Sequence, residues 1–149
     1  MLDLYAGTGA VGIEALSRGA EGAVFVDRSP PALIAVRENL ARTGLGDRAA
    51  VRRSDVRKFL ERAPGDPQGF DIVFLDPPYE SGPPELDAVL ALLDVKPLLR
   101  AGFTVVLSRG SRSSNNVIPL HWIVARRLAY GDSVVTLFRS RNLPRSLEV

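Results

Sequence analysis

The sequence predicts an α/β domain with a doubly wound, mostly parallel sheet whose last two strands form a hairpin. Short apolar runs alternate with amphipathic stretches along the chain. The first run passes through a glycine-rich turn directly into a helical pattern. Near the end, Gly131-Asp132 splits a β-rich stretch as a tight-turn pair does.

The elements follow in order. Met1–Tyr5 reads as a strand, and the turn after it opens a helix over about Ala10–Ser17 with Val11, Ile13 and Leu16 as its apolar side and Gly19 at its end. Ala23–Asp27 is the second strand. Ser29 is a good N-cap ahead of Pro30 and Pro31, and Leu33, Val36 and Leu40 recur at helical spacing before Gly44 and Gly46 close that helix. A short strand at Ala49–Arg53 leads to a helix with Val56, Phe59 and Leu60 inward. Pro64–Gly69 is a polar connection, Phe70–Leu75 a compact strand, and Pro84–Leu93 a helix. Phe103–Leu107 is a buried strand, Ser108–Asn116 a polar, flexible segment, and Val124–Arg139 the hairpin.

At 149 residues the chain suits one domain with a real core, and 46% hydrophobic against 24% charged residues excludes a disordered composition. No apolar run approaches the roughly 20 residues of a membrane span, and the N-terminus lacks a signal-peptide layout, so the expectation is a cytoplasmic protein with no membrane partner. No cysteine is present, which excludes disulfides and thiol nucleophiles; His121 alone gives little to a zinc site, and no metal is expected. All but Lys58 and Lys96 of the 19 basic residues are arginine, yet the net charge is only +2, so charge alone does not argue for nucleic acid.

Asp3-Leu4-Tyr5-Ala6-Gly7-Thr8-Gly9-Ala10-Val11-Gly12 carries the cofactor question. Gly7, Gly9 and Gly12 match the dinucleotide fingerprint, and Asp27 ends the next strand where a ribose would lie. A pyrophosphate at this turn would be repelled by an acid at the strand end, whereas a ligand bearing an ammonium and a sulfonium would be attracted. Asp3 therefore favours S-adenosylmethionine over NAD. Asp27 is suited to both ribose hydroxyls, with Arg28 beside it in the cofactor set. Asp55 is suited to an adenine amino group, with the Val56 amide facing a ring nitrogen. Each acid also has a plain structural use, Asp55 as an N-cap above all.

Asp76-Pro77-Pro78-Tyr79 follows an apolar strand and is the most specific signal in the chain. An exocyclic amine on a base is a poor nucleophile because its lone pair is delocalised into the ring. Hydrogen bonds from that amine to the Asp76 carboxylate and the Pro77 carbonyl return density to nitrogen and fix its direction. Pro77 and Pro78 stiffen the carbonyl in advance, and Tyr79 offers a face on which an extruded base can stack.

On the segment from Asp3 to Ala20, on Asp76–Tyr79 and on Tyr130-Gly131-Asp132, the chain resembles the bacterial 16S rRNA guanine-N2 methyltransferases of the RsmD type. The resemblance runs from Met1 to about Arg139, leaving residues 140–149 as a tail. It implies a Rossmann-like class I methyltransferase fold of seven strands, the last antiparallel. It further implies methylation of a guanine amine in 16S rRNA, within a small-subunit assembly intermediate; the chain itself is expected to be a monomer. Carried over by motif, Asp3, Tyr5, Ala6, Gly7, Thr8 and Gly9 hold the methionine part, Asp27 and Arg28 the ribose side, and Asp55 with Val56 the adenine. Asp76 to Tyr79 then hold the base. Tyr5 replaces the first glycine of the broad methyltransferase motif. The first strand starts almost at residue 1, and the family's N-terminal Arg-Pro-Thr segment is absent, so the expectations include a missing upstream segment and weak activity. DNA amino methylation and a non-catalytic fragment are the competing readings.

Overall fold

A computed structural model describes residues 1–65, 69–78, 81–113 and 115–141. Its strands are β1 (Leu2–Leu4), β2 (Ala23–Asp27), β3 (Ala49–Arg53), β4 (Phe70–Leu75), β5 (Leu99–Gly110), β6 (Trp122–Tyr130) and β7 (Ser133–Ser140). The helices are α1 (Ala10–Ser17), α2 (Pro30–Thr43), α3 (Val56–Arg62) and α4 (Pro83–Val95). They build one seven-stranded sheet in the order β3-β2-β1-β4-β5-β7-β6. The first five strands run parallel, and β7 is antiparallel to both β5 and β6. This is the mostly parallel α/β architecture that the alternating pattern predicts, and the doubly wound, Rossmann-like one that the resemblance implies.

Period-two alternation in β1 divides the core. Leu2 and Leu4 face α3 and α4, in an apolar cluster with Val73, Leu75, Leu90 and Leu93. Phe25 faces the opposite layer with Leu16 of α1 and with Val36 and Leu40 of α2. Asp3, in register with Phe25 and Phe74, shares that second face. Helix α1 comes very close to the sheet here: a Cβ on Gly12 would meet the Phe25 ring at 2.3 Å. At the far edge, Trp122 stands between the rings of Phe103 and Phe138, each centroid 5.8 Å away.

Local rules account for most boundaries. The Ser29 hydroxyl accepts from the Ala32 amide, the two prolines start α2, and Gly44 ends it in the left-handed region. Several bounds differ from expectation. β1 stops at Leu4 because Tyr5 takes φ 60°. Gly46 opens a 3-10 turn rather than closing α2. On α1, Gly12 and Leu16 are buried while Val11 is exposed. Helix α4 extends one residue earlier and two later than the apolar spacing marks. The largest difference is β5, which takes in Ser108, Arg109 and Gly110, read from sequence as flexible. They pair with Val135, Val134 and Ser133, so the ladder supplied by β7 holds a polar run extended.

Candidate active site

Sheets of this kind leave a crevice beyond the carboxyl ends of the strands where strand order reverses, here between β1 and β4. A cavity of about 500 Å³ lies there. Tyr5, Asp27, Arg28, Asp55 and Val56 line it from β1, β2 and β3, and Asp76 and Pro78 close it from β4. Four successive strands thus deliver residues singled out by sequence to one place.

The turn after β1 is braced from below. Gly9, the N-cap of α1, sits at φ 80°, and a Cβ there would come within 3.2 Å of Val36. The Gly7 amide donates to Asp27 Oδ2 and the Ser29 amide to Asp27 Oδ1, both at 2.9 Å. Asp27 thereby ties the glycine turn to the end of β2. A carboxylate offers about four lone-pair sites, so two remain for hydroxyls of a ligand. Asp55 caps α3 by accepting from the Lys58 amide, and the Val56 amide, at the first helical position, has no intrahelical acceptor.

Tyr5 is the one non-glycine residue with positive φ among the described residues. That conformation costs a side-chain-bearing residue roughly 1–2 kcal/mol, a cost that glycine would not carry. Burial, followed by the charges of Glu85 and Asp55, pushes its hydroxyl up to about 12.

Asp3 does not line the cavity. It is 1% exposed, beneath α1, where Oδ2 accepts from the Gly12 amide at 3.2 Å. Burial raises its carboxyl to about 7, with the charges of Asp27 and Asp76 acting in the same direction. Partial burial raises Asp76 as well, although its side chain opens onto the cavity. Ala6, Gly7, Thr8 and Gly9 do not themselves line the cavity, and Pro77 is buried. Tyr79 lies outside the described residues.

Sequence reasoning missed Glu85, which lines the same cavity from the first turn of α4. An acid one turn into the helix after the Asp-Pro-Pro motif was its available signal. Arg57 holds Glu85 at 3.2 Å and offsets its charge. Even so, Asp27, Asp55 and Asp76 face the space against the single guanidinium of Arg28. Such a lining suits a ligand carrying positive charge and hydroxyls, and disfavours a pyrophosphate. Among the described residues no group of three His, Cys, Asp or Glu could hold a metal, and no helix is long and apolar enough to cross a membrane.

A family model described as conserved hypothetical protein 95 matches residues 1–139. The chain belongs to this family. Among curated relatives of this conserved hypothetical protein 95 member, YlbH of Bacillus subtilis, provisionally named an rRNA methyltransferase, is 36% identical over 94% of the chain and 75% of its own length. Ribosomal RNA small subunit methyltransferase D of Escherichia coli is 30% identical over 93% of the chain and 67% of its own length. A solved structure from Streptococcus pyogenes, described as a conserved hypothetical protein, superposes with a TM-score of 0.79 at 30% identity, over 93% of this chain and 84% of that one. The resemblance drawn from Asp3–Ala20 and Asp76–Tyr79 therefore names the right family, and the fold is that of its methyltransferase members.

Proposed function

We propose that this chain is an S-adenosylmethionine-dependent methyltransferase acting on the exocyclic N2 amine of a guanine in 16S rRNA, within a small-subunit assembly intermediate. The observation that carries the reading is one cavity joining three strand-end acids to an Asp-Pro-Pro turn. The family's curated relatives, named as rRNA methyltransferases, support the RNA substrate.

S-adenosylmethionine, when bound, supplies an electrophilic methyl group on a sulfonium. The residues of the chain do the rest. Asp27, already fixed by two amides, accepts the ribose hydroxyls, with Arg28 beside it. Asp55 accepts from the adenine amine while the Val56 amide donates to a ring nitrogen. Asp3 provides negative charge beneath the turn formed by Tyr5, Ala6, Gly7, Thr8 and Gly9. Asp76 and the Pro77 carbonyl accept the two hydrogens of the target amine and keep its lone pair directed at the methyl group. Pro78 holds that carbonyl rigid, and Tyr79 is assigned to stacking on the base. No strong base is required, because loss of the proton can follow methyl transfer.

The test is transfer of a labelled methyl group to 16S rRNA in undermodified small subunits, with Asp76→Ala beside the wild type. Transfer by the wild type and its loss in the variant, with donor affinity kept within a few-fold, is the expected result. Equal loss of donor binding would move Asp76 out of the catalytic role. Methylation of DNA in place of RNA would overturn the substrate.

A further inference from the structure

A second cavity, of about 450 Å³, lies on the α4 face of the sheet. Arg109 of β5 and Arg127 of β6 line it, together with Ser111, Ser113, Asn115 and Asn116. Leu107 pairs with Leu75, the residue before Asp76, and Arg109 lies two residues further along β5 in the same direction. The proximity is also electrical: Arg109 is among the positive charges that hold down the rise of the Tyr5 hydroxyl in the first cavity.

Arg109 Nη1 is sealed from solvent and has no hydrogen-bond partner among the described residues. A buried charged donor left unsatisfied is costly, so the Arg109 guanidinium that lines the cavity is not already spent at Nη1 on an acceptor of the described residues. The wall around it is built rather than loose. Asp87 of α4 accepts at one oxygen from both the Asn116 side chain and the Val117 amide, each at 2.9 Å. The Ser113 amide donates to the Gly110 carbonyl, and the Ser111 amide to that of Asp132. Engaged in this way, Asp87 steadies the loop while two guanidiniums and several neutral donors face the opening.

The geometry points to this cavity as the seat of a backbone phosphate of the RNA strand, next to the nucleotide presented to Asp76. The inference rests on the RNA reading of the first cavity and extends it. A guanidinium fork matches phosphate oxygens, and phosphate contacts set the register of a strand without reading its sequence.

The test compares wild type, Arg127→Ala and Arg109→Gln on a labelled 16S rRNA fragment containing a guanine that the wild type methylates. Each variant is expected to bind the fragment several-fold more weakly and to flatten the dependence of log affinity on log salt by about 0.7–0.9 per lost contact. S-adenosylmethionine affinity is expected to stay at the wild-type value, and a neutral methylphosphonate at one backbone position should erase the difference between wild type and Arg127→Ala. Wild-type affinity and salt slope in both variants would overturn the inference while leaving the methyltransferase reading intact. So would loss of transfer on assembled subunits with unchanged binding to the bare fragment, since that points to a ribosomal protein. A wild type that methylates no rRNA would remove the substrate reading and this inference with it.

Discussion

Replacing Asp3 by Asn isolates the electrostatics beneath the glycine turn. A carboxyl that titrates near 7 instead of 3.8 has an ionised form about 4 kcal/mol less favourable in the folded chain than in the unfolded one. The raised value means that the folded state holds the proton more tightly. The stabilising contribution is thus complete below pH 3.8, falls as pH rises, and is gone above about 7. In Asp3→Asn the side-chain carbonyl can still accept from Gly12, and no proton titrates. Its amide hydrogens add a burial cost, but that cost does not vary with pH. Urea unfolding of both proteins from pH 4 to 8 should therefore show the variant gaining on the wild type by up to about 4 kcal/mol across that range. Titrating groups that do not act on Asp3 cancel in the difference. A difference that stays flat with pH would refute the buried, proton-holding carboxyl. The same linkage makes binding of a cationic donor release a proton from Asp3, so wild-type affinity should fall below pH 7, and Asp3→Asn should lose that dependence.

Gly12→Ala drives a methyl group into the Phe25 ring and should cost about 1–3 kcal/mol in chemical denaturation. Gly22→Ala, whose nearest neighbour would lie 3.5 Å away, is the control, and equal stability of the two variants would contradict the close approach of α1. Asp27→Ala should weaken S-adenosylmethionine binding by about 1–3 kcal/mol in calorimetry. It should also lower the melting temperature, because the Gly7 and Ser29 amides lose their acceptor. Unchanged donor affinity would confine Asp27 to bracing the turn.

What was legible in the sequence was local. Ser29 with its two prolines, Gly44, and the acids ending β2 and preceding α3 obey rules that act over a few residues, and the structure follows them. Asp3 shows where such reading stops. Its place between Leu2 and Leu4 fixes that it faces away from them, but which layer covers that face depends on how α1 crosses back over the sheet. Reading it as a strand-end acid put it at the cavity; the structure puts it under Gly12. The strand conformation of Arg109 was obscured for a related reason. Ser108–Gly110 is extended because β7 pairs with it from more than twenty residues away, and no window around a polar run reveals that partner. Glu85 was hidden because its role depends on α4 returning to the mouth of the site.

The position of β7 bears on how the chain can be shortened. It is the last strand of the described residues yet lies inside the sheet, between β5 and an outermost β6. A stop codon after Gly131 would delete eight ladder residues and also strand nine more, since among the described residues β6 is hydrogen-bonded to the sheet through β7 alone. Trp122 would lose the Phe138 ring at the same stroke. Trimming from this terminus should therefore show a threshold inside β7, beyond which the whole hairpin detaches, rather than a graded loss residue by residue.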